Sequence, residues 1–331
     1  WYGVHKRELP WRENHNAYRI WLSEIMLQQT QVATVINYFN RFIDKYPNVE
    51  ALSHANEDDV LKLWEGLGYY SRARRLIPCA RMVVSTYKGI FPNTFKEMIK
   101  LPGVGTYTAG AILSIAYNEK LPAVDGNVMR VYARLYNLDW DISLPKTKKQ
   151  FEDKVYETLP EDRRHFNQGL MELGATICTP RNPKCSDCPI KEACIAYAQG
   201  RERQLPVKTK KIKKKHMDMA VLKINHGDEI LLEKRPGQGL LAGLWGFIVF
   251  EHTDNLEEDI RYKLMNELGL VYEGHSLIKV GKHVFTHLVW DMKFYNVSVE
   301  KKVTVAYPET MWVTEDEVKN YALPTAFKKL I

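Results

Sequence analysis

Nowhere in the 331-residue sequence does an apolar run approach the ~18 residues of a membrane span, which argues against a helical membrane protein. No signal peptide precedes "WYGVHKRELPWRE", and the chain starts without methionine, so a few native N-terminal residues are expected to be missing. Cysteine is scarce: five in a chain of this length do not make a disulfide framework. Nor does one sign of charge dominate, since 47 Lys and Arg stand against 40 Asp and Glu, a net +7. That balance suits a polyanionic partner without requiring one. Hydrophobic residues at 45% and charged residues at 26% are ordinary for a globular protein. The length exceeds a single typical core, so two or three domains are expected.

The few cysteines are not scattered. Cys178, Cys185, Cys188 and Cys194 crowd into "CTPRNPKCSDCPIKEAC", which reads as a metal or cluster site in a reducing cytoplasm. Zinc suits four thiolates well, but a zinc ribbon usually offers two close C-x2-C pairs and only one short pair exists here. Cys79, alone in "RRLIPCARMVV", reads as a buried small hydrophobe.

From Tyr18 to about Leu205 the apolar spacing is helical, beginning with Ile25, Val32, Val35, Ile36, Phe39 and Ile43. "QQT" interrupts that stripe and marks a bend between two helices. "NEDDVLKLWEGL", "SRARRLIPCARMVVSTY", "TFKEMIKL", "YTAGAILSIAY", "NVMRVYARLYNL", "TKKQFEDKVYETL" and "RRHFNQGLMELGATIC" predict further helices, with Asn56 and Asn93 as N-caps. Beyond the lysine-dense linker "VKTKKIKKKHM" the composition turns β-rich in "MAVLKI", "EILLEKR", "GFIVFE", "LIKVGKHVF", "THLVWDMKFYNV" and "AYPETMWV". One helix, "EDIRYKLMNELG", breaks the run. This is a separate α+β domain.

Between two predicted helices, "LPGVG" carries Gly103 and Gly105. A dinucleotide-binding turn needs a preceding strand and a third glycine, and "FKEMIK" is helical. A helix-hairpin-helix fits better: glycines able to take positive φ let backbone N–H groups approach a phosphate at the next helix N-terminus. A plain tight turn between packed helices is the alternative.

Hairpin, "AVDGNVMRV" with Asp125, and C-x6-C-x2-C-x5-C in this order resemble the helix-hairpin-helix DNA glycosylase superfamily, and within it the MutY-type adenine DNA glycosylases. The resemblance covers nearly the whole chain. It implies a multidomain protein: an all-α helix-hairpin-helix glycosylase core with a 4Fe–4S cluster domain, plus an α+β Nudix-like C-terminal domain. The boundaries expected are 18–119 for a six-helix barrel, 1–17 with 120–206 for the cluster domain, 207–217 for the basic linker and 218–331 for the Nudix-like domain. It also implies that the four cysteines hold a 4Fe–4S cluster. The cluster shapes a basic loop whose Arg181 and Lys184 meet DNA phosphates, alongside Gly103, Val104 and Gly105 of the hairpin.

Cutting adenine from its sugar needs an acid on the purine and a negative charge under the sugar. Glu24, flanked by Trp21, Ile25 and Leu27, stands in apolar company that keeps a carboxyl protonated, although most glutamates lie on helix surfaces. The resemblance makes it the acid on adenine N7 and a guide for water. Asp125 is by position an N-cap. The resemblance makes it the stabiliser of the anomeric carbon, assisted by Asn127. Tyr107 stands where related enzymes that also nick the strand carry a lysine. A phenol cannot form a Schiff base, so hydrolysis leaving an abasic site is expected, with Tyr107 near the sugar.

By resemblance Gln29 and Tyr69 insert at the lesion, while Thr30 and Leu67 touch the opposite base. The Nudix pattern R-E-U-x-E-E-x-G-U, aligned on Gly269, becomes "YKLMNELGL" and keeps only Glu267, a poor cage for Mg²⁺. The domain is therefore expected to read rather than hydrolyse. The resemblance gives 8-oxoguanine recognition to His283, Phe285, Thr286 and His287 in "HVFTH", Thr286 standing where serine is frequent. The expected partner is double-stranded DNA with A:8-oxoguanine or A:G mispairs. No membrane partner is expected, and a monomer in the cytoplasm, associated with the bacterial nucleoid, is expected. A pyrimidine-lesion glycosylase with lyase activity and a non-catalytic iron–sulfur DNA sensor are the competing readings.

Overall fold

The structure is a computed structural model describing residues 1–209, 213–303 and 309–328. Part of the expected linker (210–212), the start of "AYPETMWV" (306–308) and the last residues of the expected Nudix-like domain (329–331) lie outside the described residues. Packing divides the chain into two compact units, Trp1–Ala55 with Arg75–Lys210, and Asn56–Arg74 with Lys211–Ile331. Among the described residues no helix is long and apolar enough to cross a membrane.

The first unit is helical. Helix Ala17–Leu27 is capped by the Asn16 side chain, which accepts from the Arg19 N–H. It stops at the expected bend: Gln29 takes a left-handed φ of 57°, and the next helix, Val32–Lys45, buries only the face of Val35, Phe39 and Phe42. Helix Thr106–Tyr117 is different, with Thr108 to Ile115 all buried, so it must be surrounded by protein. It packs against helices Ala17–Leu27 and Arg163–Thr176. The close approach depends on Gly110, where a Cβ would lie 2.3 Å from the Pro122 carbonyl oxygen. Helices Gly126–Leu135, Pro145–Thr158 and Arg163–Thr176 enclose a second apolar cluster of Val128, Val131, Phe151, Val155, Leu170 and Leu173.

Two local expectations are corrected. Asn93 is not a cap: the helix Phe95–Met98 has Thr94 at its N-cap position and no side-chain cap bond. Gly103 has the left-handed φ of 80°, but Gly105 lies at φ −95°, which any residue can adopt. Asn56 does cap helix Glu57–Trp64, accepting from the Asp58 N–H at 2.8 Å.

The second unit is built on a seven-stranded mixed sheet of β1 (Lys215–His226), β2 (Glu229–Lys234), β3 (Trp245–Gly246), β4 (Ile248–Glu251), β5 (Tyr272–Val284), β6 (Leu288–Val299) and β7 (Thr310–Thr314). The order is β3-β2-β1-β6-β5, with β4 on β1 and β7 on β2. Strands β1 and β6 are parallel, from Lys215 opposite Leu288 to Asn225 opposite Ser298. Strand β1 therefore takes in Lys215–Met217, which the sequence reading gave to the linker. Alternation divides the core as a pleated strand requires. Met219 and Val221 face one cluster with Trp245, Phe247 and Trp290, while Leu222 and Ile224 face another. The second cluster is covered by Ile260, Leu264 and Leu268 of the helical stretch Leu256–Glu267, which ends at left-handed Gly269.

Gly110→Ala should lower stability by about 1–3 kcal/mol, the usual cost of overpacking. The fall of several degrees in Tm is measurable by circular dichroism; an unchanged Tm would mean that the Pro122 backbone yields.

Candidate functional site

Within the first unit lies a cavity of about 940 Å³ lined by Glu24, Tyr107, Asp125 and Asn127. The four residues come from three helix segments that the sequence separates widely. Glu24 is on the last turns of Ala17–Leu27 and only 7% exposed. Tyr107, in the first turn of the hairpin helix, donates its hydroxyl to Glu24 Oε2 at 2.7 Å. Asp125 caps helix Gly126–Leu135.

The two acids share a buried setting but differ in how many donors meet them. Burial pushes the Glu24 carboxyl up to about 7; the Tyr107 bond pulls against that rise and the nearby Asp125 charge adds to it. Burial raises Asp125 as well, but its carboxylate accepts from the Val128 N–H and from Asn127 Nδ2, both at 2.8 Å. Those donors favour the anion. Tyr107 is held well above its ordinary value, by burial first and then by the neighbouring acids, so its O–H remains a donor.

Asn127 is itself oriented. Its Oδ1 accepts from Arg130 Nη2 at 2.7 Å, and Arg130 also donates to the carbonyls of Gly174 (2.7 Å) and Cys178 (2.7 Å). One turn on, Arg134 is 1% exposed and donates to Cys178 Sγ (3.2 Å), Thr179 O (2.8 Å), Pro180 O (2.9 Å) and Leu205 O (3.0 Å). One helix thus reaches from the carboxylate to the cysteine loop.

That loop turns all four cysteines, half-buried, onto one space walled by Val131, Leu135, Leu173, Ile177 and Ile190. Among the described residues no group of His, Cys, Asp or Glu is arranged to hold a single metal ion. Four thiols around an apolar space, one already met by a guanidinium donor, fit a cubane cluster with anionic thiolates. Arg181 and Lys184 are exposed on the same loop.

Sequence reasoning missed much of the cavity wall. Glu172 is 0% exposed and takes bonds from Arg7 Nε (2.7 Å), Arg7 Nη2 (2.9 Å), the Arg7 backbone N–H (3.0 Å) and Arg12 Nη2 (2.8 Å). Burial alone would raise that carboxyl, but the guanidinium bonds outweigh it and bring it down to about 2. Arg7 and Arg12 stand about 160 positions before Glu172, and only a fold can bring them together. Arg130 and Arg134 were findable, as an i, i+4 pair on the helix that Asp125 opens.

At the cavity mouth, Gln29 is exposed and Thr30 half-buried. In the hairpin, Val104 is buried and gives its N–H to the Leu101 carbonyl at 3.0 Å, so it shapes the turn and offers no free donor. A Cβ on Gly105 would meet nothing within 4 Å, which leaves the approach to the helix N-terminus open. Arg75 and Lys148 line the same opening.

In the second unit, Tyr69 is 46% exposed at a left-handed φ of 48°, and its hydroxyl lies 3.1 Å from Thr286 Oγ1. Leu67, by contrast, is buried at 6%. The loop between β5 and β6 packs His283 edge-on to Phe285 (4.5 Å between ring centroids) and Phe285 onto Trp290 (4.9 Å), with His287 exposed. At the Nudix position, Lys263 pairs with Glu267 at 2.5 Å, neutralising the one retained glutamate from within.

The class follows from the segments. Residues 22–160 match the HhH-GPD superfamily of base excision DNA repair proteins, 178–194 the iron-sulfur binding domain of endonuclease III, and 219–331 the NUDIX domain. Over 391 aligned residues the chain is 35% identical to the adenine DNA glycosylase of Homo sapiens, covering 100% of this chain and 72% of that protein. With the adenine DNA glycosylase of Buchnera aphidicola identity is 33% over 341 residues, covering 100% and 95%. A thermostable thymine-DNA glycosylase of known structure superposes on 60% of this chain and 92% of its own, with a TM-score of 0.55 and 31% identity. The chain belongs to the adenine DNA glycosylase family, and its cofactor is a 4Fe–4S cluster.

Because the folded value of Glu24 lies above its unfolded value near 4.5, its contribution to stability is complete below about pH 4.5 and is lost as pH rises through about 7. Glu24→Gln removes that titration. The variant should therefore gain on the order of 2–3 kcal/mol over the parent at pH 8 relative to pH 4.5. Thermal melts at both pH values test this, and equal differences at the two would refute the burial of a titrating acid.

Proposed function

We propose that the chain hydrolyses adenine from A:8-oxoguanine and A:G mispairs in duplex DNA, releases the base and leaves an abasic site without cutting the strand. The observation that carries this reading is the 2.7 Å bond from Tyr107 to a Glu24 carboxyl raised to about 7, beside a carboxylate held by two donors. Departure of a purine takes the C1′–N9 electron pair, and a proton on N7 makes that departure possible. Glu24 is the group able to hold that proton near neutral pH. Asp125 supplies the negative charge for the oxocarbenium-like sugar, and Asn127 keeps its carboxylate turned to that task. Water then adds to C1′. Position 107 offers a phenol and no amine, so no imine forms at that residue. The cluster, held by Cys178, Cys185, Cys188 and Cys194, keeps its loop in shape; Arg181 and Lys184 then face phosphate.

The target must leave the stack at a cost of a few kcal/mol. Gln29 and Tyr69 are the wedges, and two of the six non-glycine residues with left-handed φ among the described residues are these. Strain collected at exposed residues accords with a functional role. Thr30 and Leu67 contact the opposite base. The hairpin holds phosphate through Gly103, Gly105 and the first helical amides, Val104 shaping the turn. His283, Phe285, Thr286 and His287 read 8-oxoguanine. The partner is duplex DNA and the chain acts as a monomer.

The likeness of the helical unit to a thymine-DNA glycosylase favours one second reading, excision of thymine from a mispair. Single-turnover assays on A:8-oxoguanine, A:G and T:G duplexes separate the two. Fastest release of adenine opposite 8-oxoguanine is expected, and Asp125→Asn should bind while losing at least 100-fold in rate, on the scale of ~3 kcal/mol. Preference for T:G would overturn the proposal. Tyr107→Lys should acquire strand nicking and a borohydride-trapped adduct; absence of both would remove Tyr107 from the reaction centre.

A further inference from the structure

Between the helix ending at Trp64 and the one beginning at Ser71, the chain makes an unusual loop. Gly66 (φ 95°), Gly68 (φ 75°) and Tyr69 (φ 48°) are all left-handed. Glycine adopts that region freely, but an aromatic residue there is disfavoured by about 1–2 kcal/mol. An exposed tyrosine in such a conformation must be held there by its surroundings.

Arg72 is the holder. It is 7% exposed, donating from Nη2 to the carbonyls of Gly68 (3.0 Å) and Leu67 (3.4 Å) and from Nε to Tyr69 (3.3 Å). Its guanidinium lies 5.1 Å from the Trp64 ring centroid and 5.5 Å from that of Tyr69, within cation–π reach of both. Trp64 Nε1 donates to the same Gly68 carbonyl at 3.0 Å, and Tyr70 Oη accepts from the Gly66 N–H at 3.1 Å. Three successive carbonyls are thus gathered on one planar fork, which a lysine ammonium could not reproduce.

We propose that Arg72 is a positioning residue for base extrusion: it fixes the 66–70 loop in the one backbone shape that presents the Tyr69 ring to the DNA stack. The inference rests on the reading of Tyr69 as a wedge and deepens it. A wedge that must be ordered at the moment of insertion spends binding energy on its own conformation, whereas one ordered beforehand does not. Loss of Arg72 should therefore impair opening of the duplex far more than affinity for it.

The test uses the full cluster-loaded chain, an A:8-oxoguanine duplex and 2-aminopurine beside the target adenine, whose emission rises when the stack opens. Arg72→Met should bind the duplex within about threefold of the parent, yet lose at least tenfold in the emission step before excision and in single-turnover rate. Arg72→Lys, which keeps charge and stem and guards against misfolding, should lose threefold or more in that step. Tyr69→Ala should lose it too. An unchanged emission step in Arg72→Lys or Arg72→Met, with Tyr69→Ala impaired, would overturn the role of Arg72 and leave the wedge standing. An unchanged step in Tyr69→Ala would overturn the wedge itself. Parallel loss of affinity and emission in the Arg72 variants would reduce Arg72 to a structural residue and also end the proposal.

Discussion

Two carboxyl groups buried in one cavity, one pushed up to about 7 and the other met by two donors that favour its anion, are the constraint on which the helical unit turns. Burial favours the neutral form of both, and hydrogen bonds to the carboxylate are its main opposition. Glu24 gains its state by exclusion from water, tempered by the one bond from Tyr107. At Asp125 a helix N-terminal N–H and the amide of Asn127 oppose the rise that burial causes. In the proposed reaction this difference in environment, rather than in residue type, divides the work between them. The packing around them follows: the central hairpin helix must be apolar enough to bury Glu24, and Gly110 must let it approach the chain at Pro122.

The same helix that receives Asp125 carries Arg130 and Arg134 on successive turns, and both reach the loop of Cys178. Two buried guanidiniums among main-chain carbonyls are costly to desolvate, and each is matched by several acceptors. Their geometry ties the orientation of Asn127 to the path of the cysteine segment. In the other unit Arg72 plays a comparable part, gathering carbonyls around one strained tyrosine. Arginine is here less a surface charge than an internal brace.

Much of this was legible in the residues. Helical spacing gave the helices because each buries a stripe, and alternation gave β1 because its two faces meet two different clusters. The Glu24–Tyr107–Asp125 grouping was readable only through family likeness, since 83 residues separate the partners of its central bond. What stayed hidden has physical reasons. Asn93 and Thr94 are adjacent capping types, and local chemistry alone does not rank them. Lys215–Met217 reads as linker because its polar residues pair with β6 some seventy positions away. The bonds of Arg7 and Arg12 to Glu172 leave no trace in any window of sequence. Gly105 shows the limit of residue type as a clue: at φ −95° and with nothing within 4 Å of where a Cβ would stand, neither its backbone nor its neighbours require a glycine.

The hairpin has a genetic corollary. Any anion held by main-chain amides is held by atoms common to every residue but proline, so a substitution that leaves the backbone path unchanged spares the contact. At Gly103, with φ 80° and the Arg75 stem 3.1 Å from where its Cβ would be, any other residue would strain the turn. A phosphate held there as proposed would be lost through a bent backbone sooner than through a changed side chain, and position 103 is where one substitution would bend it.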